Sequence, residues 1–598
     1  MPPPPVRTTT PIYDVQGSGA SSPLDGSAVS IVGIVTGDFQ DDDGDPRNDL
    51  GGFFVQEEAA DADPGTSDGI FVFDRGASAP DVDLGDRVTV DGTVVENFGE
   101  TQIDAASVSV TGTGTISPTT LPLPAAATTA NSDGETIADL EAWEGMLVTI
   151  PGDLFVTELF NLERYGEVLL SAGNRLQQFT STAAPDPAGY DRHLREIAMR
   201  SIVLDDGLVT QNPARVRYLF PDPVATPDYS VRAGDAVSDL TGTLRYSRGS
   251  GASGRETWRL VPTADPDFTS INPRPAGVMD PGGTMRVASF NVLNFFTTID
   301  TGQNICGPSG DLGCRGADSV EEFDRQRAKI IGALALLDAD IVGLIELENN
   351  GGTALQSIVD GLNALGGAGS WSSVNTGFVG SDAIVVGFIY KTASVTPQGA
   401  FAVLDSSLDP RFDDARNRPA LAQTFRDTTG ETLTLVVNHL KSKGSPCDVD
   451  GDPDLNDGQG NCNRTRTNAV LALVDWLATD PTGSGDADFL VIGDMNAYLE
   501  EDPVRAFEDA GYVNLLRAQV GPGAYSFLFR GQVGALDHAF ASPALAPRVS
   551  GALEWHINAD EPPALDYNLD FGRDPALFDA TLPIRASDHD PVVIGLDP

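Results

Sequence analysis

The chain has 598 residues, 40% of them hydrophobic, with 37 Lys plus Arg against 87 Asp plus Glu and a formal charge of −50. That length predicts two to four domains, the composition excludes wholesale disorder, and no apolar run reaches the roughly 18 residues that a membrane-spanning helix needs. The acidity excludes a protein that holds nucleic acid through its bulk field, though not one whose site bridges carboxylates to phosphate through metal ions.

Residues 1–10 read as an unstructured leader. The opening Met-Pro-Pro-Pro-Pro has neither the basic segment nor the apolar segment of an export signal, so either the protein is intracellular or such a signal has been removed. From 11 to 127, short apolar runs (29–35, 52–56, 69–73 and 87–94) alternate with turn clusters, which predicts a small β-barrel or sandwich. A second β-rich domain is expected over 128–270, with strands at 145–150 and 240–246. Residues 271–284, rich in Pro and Gly, form the linker.

From 285 to 598 the pattern changes. Val320–Leu337 and residues 465–477 carry helical apolar spacing, and 341–345, 384–390, 433–438 and 489–492 are buried-strand candidates. The four cysteines form two close pairs, Cys306/Cys314 and Cys447/Cys462, in loops rich in Gly, Asp and Pro. Two loop-stapling disulfides are the economical reading, and they imply an oxidising compartment outside the cytoplasm. No set of four ligands at zinc spacing is present. Two Asp-rich loops, 41–45 and 448–454, hold the ligand types of calcium sites without EF-hand spacing. Solvated acidic turns and calcium as a structural ion both remain open readings there.

Six polar clusters in this last region each follow an apolar run. Asn291, Glu346, His439 and Asp494 close predicted strands, Asn496 follows Asp494, and Asp537 with His538 and Asp588 with His589 complete the set. Side chains at successive strand ends converge on one edge of a sheet. The residue types suit phosphoryl chemistry: hard divalent cations take carboxylate and amide oxygens, and imidazoles move protons near neutral pH.

The ordered motifs are similar to those of the endonuclease/exonuclease/phosphatase superfamily, which includes deoxyribonuclease I. The wider text of Ser289–Phe296, Glu346–Asn350, Asn438–Gly444 and Trp555–Asp560 resembles the secreted bacterial ExeM/NucH-like nucleases. The resemblance covers about 285–598 and implies an α+β, multi-domain chain. Its catalytic domain would be a four-layer α/β/β/α sandwich, preceded by one or two OB-like β-barrels; the 85–94 phrase resembles an OB-module strand.

Carried over residue by residue, the resemblance implies Glu346 as principal metal ligand, in preference to the neighbouring Glu348, with Asn291 and Asp588 beside it. Asp494 and Asn496 would position water or a second metal ion. His589, oriented by Asp537, would engage the scissile phosphate, and His439, oriented by Asp382, would stand near the phosphate or leaving group. Two of the chain's four lysines, Lys441 and Lys443, flank this histidine. With Arg418 they are expected to contact substrate phosphate.

The function implied is a secreted nuclease using Mg²⁺ or Mn²⁺ on DNA, with RNA as a further substrate, acting as a monomer without membrane insertion. The alternatives are a phosphoesterase of the same superfamily on a lipid or inositol phosphate, or an inactive binding protein. Lipid-acting members need an apolar membrane-contacting hairpin, and none is evident.

Overall fold

The computed structural model describes residues 9–40, 50–61, 63–74, 80–213, 215–220, 230–249 and 254–597. The Asp-rich loop 41–45 and most of the leader lie outside the described residues. Backbone contacts divide the chain into two units. One comprises Met1–Leu176, Arg192–Asn272 and Phe571–Arg573; the other comprises Gln177–Asp191, Pro273–Asp570 and Asp574–Pro598.

In the first unit, β1 (Ala28–Phe39), β2 (Gly52–Gln56), β3 (Gly69–Phe73), β4 (Asp86–Asn97) and β5 (Glu100–Thr113) close into a barrel in the order β1-β2-β3-β5-β4. The period-two pattern of β4 explains its placement: Val88, Val90 and Val94 face the core while Arg87, Thr89 and Asp91 do not. Bulges in the β4–β5 ladder give these long strands the curvature that closure requires.

A second set repeats this connectivity. It comprises β6 (Leu147–Glu158), β7 (Val168–Ala172), β8 (Ser201–Leu204), β9 (Ala236–Ser247) and β10 (Thr257–Pro262). Neighbours run β9-β10-β8-β7-β6, and β6 pairs with β9 to complete the ring. In both rings the first and fourth strands pair antiparallel, and the third and fifth pair parallel.

The second unit holds two six-stranded mixed sheets. Their strands are β11 (Met285–Phe295), β12 (Ile341–Glu348), β13 (Trp371–Ser373), β14 (Ile384–Lys391), β15 (Val395–Leu404), β16 (Arg418–Asp427), β17 (Thr432–His439), β18 (Phe489–Asp494), β19 (Val513–Asn514), β20 (Asp537–Ala541), β21 (Val549–Glu554) and β22 (Val592–Leu596). One sheet runs β13-β14-β12-β11-β22-β21 and the other β15-β16-β17-β18-β20-β19. Each has one central parallel pair, β11/β12 and β17/β18, and a parallel pair demands a crossover. Helices α1 (Val320–Leu337) and α3 (Asn463–Leu477) lie in those crossovers, while α2 (Thr353–Gly366) and α4 (Asp502–Asp509) extend the helical layers.

Alternating residues sort into three cores. Val287, Ile341, Leu435, Val437 and Ile492 fill the space between the sheets. Phe290, Val342 and Leu344 face α1 and α2, while Val436 and Val491 face α3 and α4. The layers are therefore helix, sheet, sheet, helix. Both cysteine pairs are joined, Cys306 to Cys314 and Cys447 to Cys462. None of the described helices is long and apolar enough to cross a membrane.

Candidate active site

A strand in a parallel pair ends where its partner ends, so β11, β12, β17 and β18 all finish at one edge of the two sheets. They carry Asn291, Glu346, His439 and Asp494 there. The antiparallel strands β20 and β22 begin at that same edge, which brings Asp537 and, just before β22, His589. Four strand ends and two strand starts thus meet in one place.

Local backbone geometry aims these groups. Opposite β14, the two residues Ile345 and Glu346 share the place of one, a bulge that turns Glu346 out of the alternating pattern. Glu346 has a φ of 65°, Leu293 and Asn294 in the facing bulge of β11 have 52° and 49°, and Asn496 has 48°. Left-handed backbone at four residues other than glycine is strain that the surrounding fold must hold in place. Gly493 is the opposite case: a Cβ there would lie 2.1 Å from the carbonyl oxygen of Asn438, so only glycine lets β17 and β18 approach beneath the site.

The side chains crowd closely. His439 Nε2 lies 3.7 Å from Glu346 Oε1 and 3.6 Å from Asp494 Oδ2. Asn291 Nδ2 donates to Asp494 Oδ2 at 3.4 Å, and the Asn496 backbone N–H donates to Asp494 Oδ1 at 2.8 Å. Asn496 Nδ2 donates to the Leu440 carbonyl, and the Asn294 N–H donates to Glu346 Oε2. His589 Nδ1 donates to Asp537 Oδ2 at 2.6 Å, and Ser526 Oγ donates to that same oxygen at 2.7 Å. Asn558 Nδ2 donates to the His589 carbonyl and holds the backbone of this segment.

The two imidazoles differ in charge. Burial pushes the proton affinity of His439 well down, and the positive charges of Arg418, His589, Arg315 and Lys441 push it further. It is neutral at pH 7, and its Nδ1 has no hydrogen-bond partner among the described residues. Burial acts in the same direction on His589, but the carboxylates of Asp537 and Asp588 override it and hold the imidazolium well above the usual range. Burial raises the carboxyls of Glu346 and Asp494; Asp588 adds to the effect on Glu346, and Asp537 adds to that on Asp494.

Crowded carboxylates with raised proton affinity fit a hard divalent cation, which would stabilise their ionised forms. Glu346 stands among them, with the charge of Asp588 acting on it and with Asn291 hydrogen-bonded to Asp494 beside it. Asp494, Asp537 and His589 also offer ligand atoms within 4.8 Å of one another. Asp537, however, already accepts from His589 and Ser526 through one oxygen, and His589 is protonated. His589, Asp537 and Ser526 form a hydrogen-bonded chain, while Asp537 Oδ1 has no partner among the described residues.

Two expectations need correction, the partner of Asp382 and the availability of Lys443. Asp382 does not orient His439; it bridges Arg315 at 2.8 Å and Arg418 at 3.1 Å. Lys443 is not available to phosphate, because its ammonium pairs with the fully buried carboxylate of Glu501 and lies 4.2 Å from the Tyr498 ring. A buried carboxylate demands a counter-charge, and Lys443 supplies it. Arg418 reaches the site already paired to Asp382. Lys441 differs: its ammonium bonds only Ser442 and Ser445 among the described residues.

Other residues turn out to be structural. Glu348 Oε2 accepts from Thr297, Thr298 and Asn350, so this carboxylate is engaged in holding the neighbouring loop. Asp452, in the Asp-rich loop 448–454, caps α3 by accepting from the N–H groups of Arg464 and Thr465, while Asp450 pairs with Arg416. Sequence reasoning missed Ser526, Asn558 and Arg315. Each acts through a contact distant in sequence; Asn558 lies within the Trp555–Asp560 phrase, but nothing in that phrase says that its amide holds the His589 carbonyl.

Comparison with known proteins locates the resemblance in this unit. The family model described as "Endonuclease/Exonuclease/phosphatase family" matches residues 288–589. No curated protein matches the chain. Among solved structures, the human Nocturnin catalytic domain is 16% identical over 52% of this chain and 93% of its own, with a TM-score of 0.32. An endonuclease/exonuclease/phosphatase from Bacteroides vulgatus is 15% identical over 52% of this chain and 97% of its own, with a TM-score of 0.34. An AP endonuclease from Archaeoglobus fulgidus is 16% identical over 52% of this chain and 100% of its own, with a TM-score of 0.31.

Proposed function

Since the chain belongs to the endonuclease/exonuclease/phosphatase family, whose members hydrolyse phosphate esters, we propose that it is a secreted, metal-dependent nuclease cutting phosphodiester bonds of DNA, with RNA as a further substrate. The observation that carries this reading is the edge cluster itself. A neutral histidine lies within 3.7 Å of two carboxylates, half-buried Glu346 and buried Asp494, at the same edge as an imidazolium fixed by a carboxylate.

A divalent cation held by Glu346, Asn291 and Asp588 would neutralise phosphoryl charge and acidify water. Asp494, buried and with raised proton affinity, is suited to take a proton from attacking water, and the Asn496 N–H fixes its carboxylate. His589, charged and held by Asp537 through Nδ1, donates its Nε2–H to a phosphoryl oxygen whose negative charge grows in the transition state. His439, neutral, completes the contacts to the phosphate or the leaving oxygen.

Two features support a polynucleotide substrate and export. We read both rings of the first unit as OB-like barrels, a fold that binds oligonucleotides, because each has five closed strands in the same order with a parallel third–fifth pair. Two disulfides suit an oxidising exterior. The test is plasmid DNA with Mg²⁺ or Mn²⁺, with and without chelator, beside Asp494→Ala and His589→Ala. We expect nicking by the parent protein with metal, none with chelator, and a loss of about 10²–10⁴-fold in each variant. Intact plasmid in every metal-containing lane would refute the nuclease.

A further inference from the structure

Arg315 belongs to no motif of the site, yet its positive charge is among those that lower the proton affinity of His439. Its position has a covalent cause. Residue 315 directly follows Cys314, and the Cys306–Cys314 disulfide packs against Phe296, Ala383 and Ile384. Ala383 is the neighbour of Asp382, so the staple sets Arg315 beside that carboxylate. Asp382 Oδ1 takes the Arg315 guanidinium at 2.8 Å, and Oδ2 faces Arg418 Nε at 3.1 Å. Arg418 stands opposite His439 in the β16–β17 ladder, one strand from the site.

Two guanidiniums on one carboxylate leave a net positive charge in a chain of −50. The Arg418 side chain is 12% exposed and serves as the buried base of this arrangement, whereas Arg315 is 43% exposed. A guanidinium has five N–H groups, and among the described residues Asp382 alone binds that of Arg315. Its remaining donors face solvent beside the catalytic edge. Lys441, with no carboxylate partner among the described residues, adds positive charge on the same side.

A single phosphodiester needs only the edge cluster. A polynucleotide brings further phosphates, each with a negative charge, and repulsion from Glu346, Asp494 and Asp588 would disfavour them unless a cation received them. We propose that Arg315 and Arg418, bridged by Asp382, form a docking site for a phosphate flanking the scissile one, and so select polynucleotides over isolated phosphodiesters. This rests on the nuclease reading above. The disulfide's part is to hold Arg315 in reach, since a guanidinium on a free loop would lose more entropy on binding.

The experiment compares Arg315→Gln and Arg315→Lys with the parent protein on two substrates, an oligodeoxynucleotide and bis(4-nitrophenyl) phosphate, both with Mn²⁺. For Arg315→Gln, the ratio of kcat/KM on oligonucleotide to that on the small diester should fall about tenfold, chiefly through KM. The slope of log kcat/KM against log salt on the oligonucleotide should flatten by about one, or somewhat less on a single strand. Arg315→Lys should recover part of the ratio, because it keeps the charge and loses the fork. An unchanged ratio in Arg315→Gln, or equal losses on both substrates, overturns the docking site alone. A parent protein that cleaves the small diester and no polynucleotide overturns the nuclease reading and the docking site with it.

Discussion

The two units bury charge in different ways. In the barrels, a buried cation meets a carboxylate: Arg245 pairs with Glu100 at 2.7 Å, and Arg259 with Glu167 at 2.9 Å. At the edge of the sandwich, Glu346, Asp494, Asp537 and Asp588 crowd around one buried imidazolium, that of His589, since His439 is neutral and the nearby guanidinium of Arg418 is itself paired to Asp382. Backbone strain follows the same division. Left-handed residues of the barrel unit, such as Phe98 at the β4–β5 turn, sit in connections or at a ladder irregularity, whereas those at the edge carry or flank the reactive groups. Balanced charge holds a fold together; unbalanced charge on strained backbone is maintained for something that binds.

That contrast can be broken by experiment. If the barrel ion pairs are structural, Arg245→Ala should cost about 3–5 kcal/mol, because it strands Glu100 as an unpaired buried carboxylate. Denaturant midpoints would measure the loss, and phosphodiesterase activity per folded molecule at low temperature should persist. A variant that folds as well as the parent but has no activity would erase the division of labour.

A smaller effect tests an exception inside the barrel unit. Glu141, half-buried, has its carboxyl pushed up to about 7 by burial and then by Glu96 and Asp139. Because the folded value is raised above the unfolded one, this group contributes stability that is full below about pH 4.5 and is lost as pH rises through about 7. The barrel unit should therefore weaken between pH 5 and 8, on the order of 1 kcal/mol after solvent screening. Glu141→Gln should flatten that slope in pH-dependent melting. An unaltered slope in the variant would show that Glu141 is charged and stabilised like its neighbours.

Much of the edge was legible because strand ends are local. Asn291, Glu346, His439 and Asp494 each follow an apolar run, and parallel pairing carries such ends to one place. What was illegible is tertiary. Lys443 sits two residues from Lys441 in the same motif, yet only the fold reveals that Glu501, 58 residues on, claims its charge. Asp382 precedes a strand as expected, but its carboxylate turns to two arginines, one of them brought in by a disulfide loop. The second domain was legible as β-rich, and its being an OB-like barrel rested on resemblance alone. Its closure depends on β6 meeting β9 across a register shift, roughly 90 residues apart, which no periodicity encodes.

The crowded carboxylates at the sandwich edge are proposed to be a metal site. Titrating Mn²⁺ into the parent protein and Glu346→Gln, with free Mn²⁺ followed by electron paramagnetic resonance, tests it without reference to turnover. The parent should show a site that weakens at least tenfold in the variant while the melting temperature is kept or raised, since one of the crowded carboxylates has been removed. Mn²⁺ binding of equal strength in both proteins would contradict it.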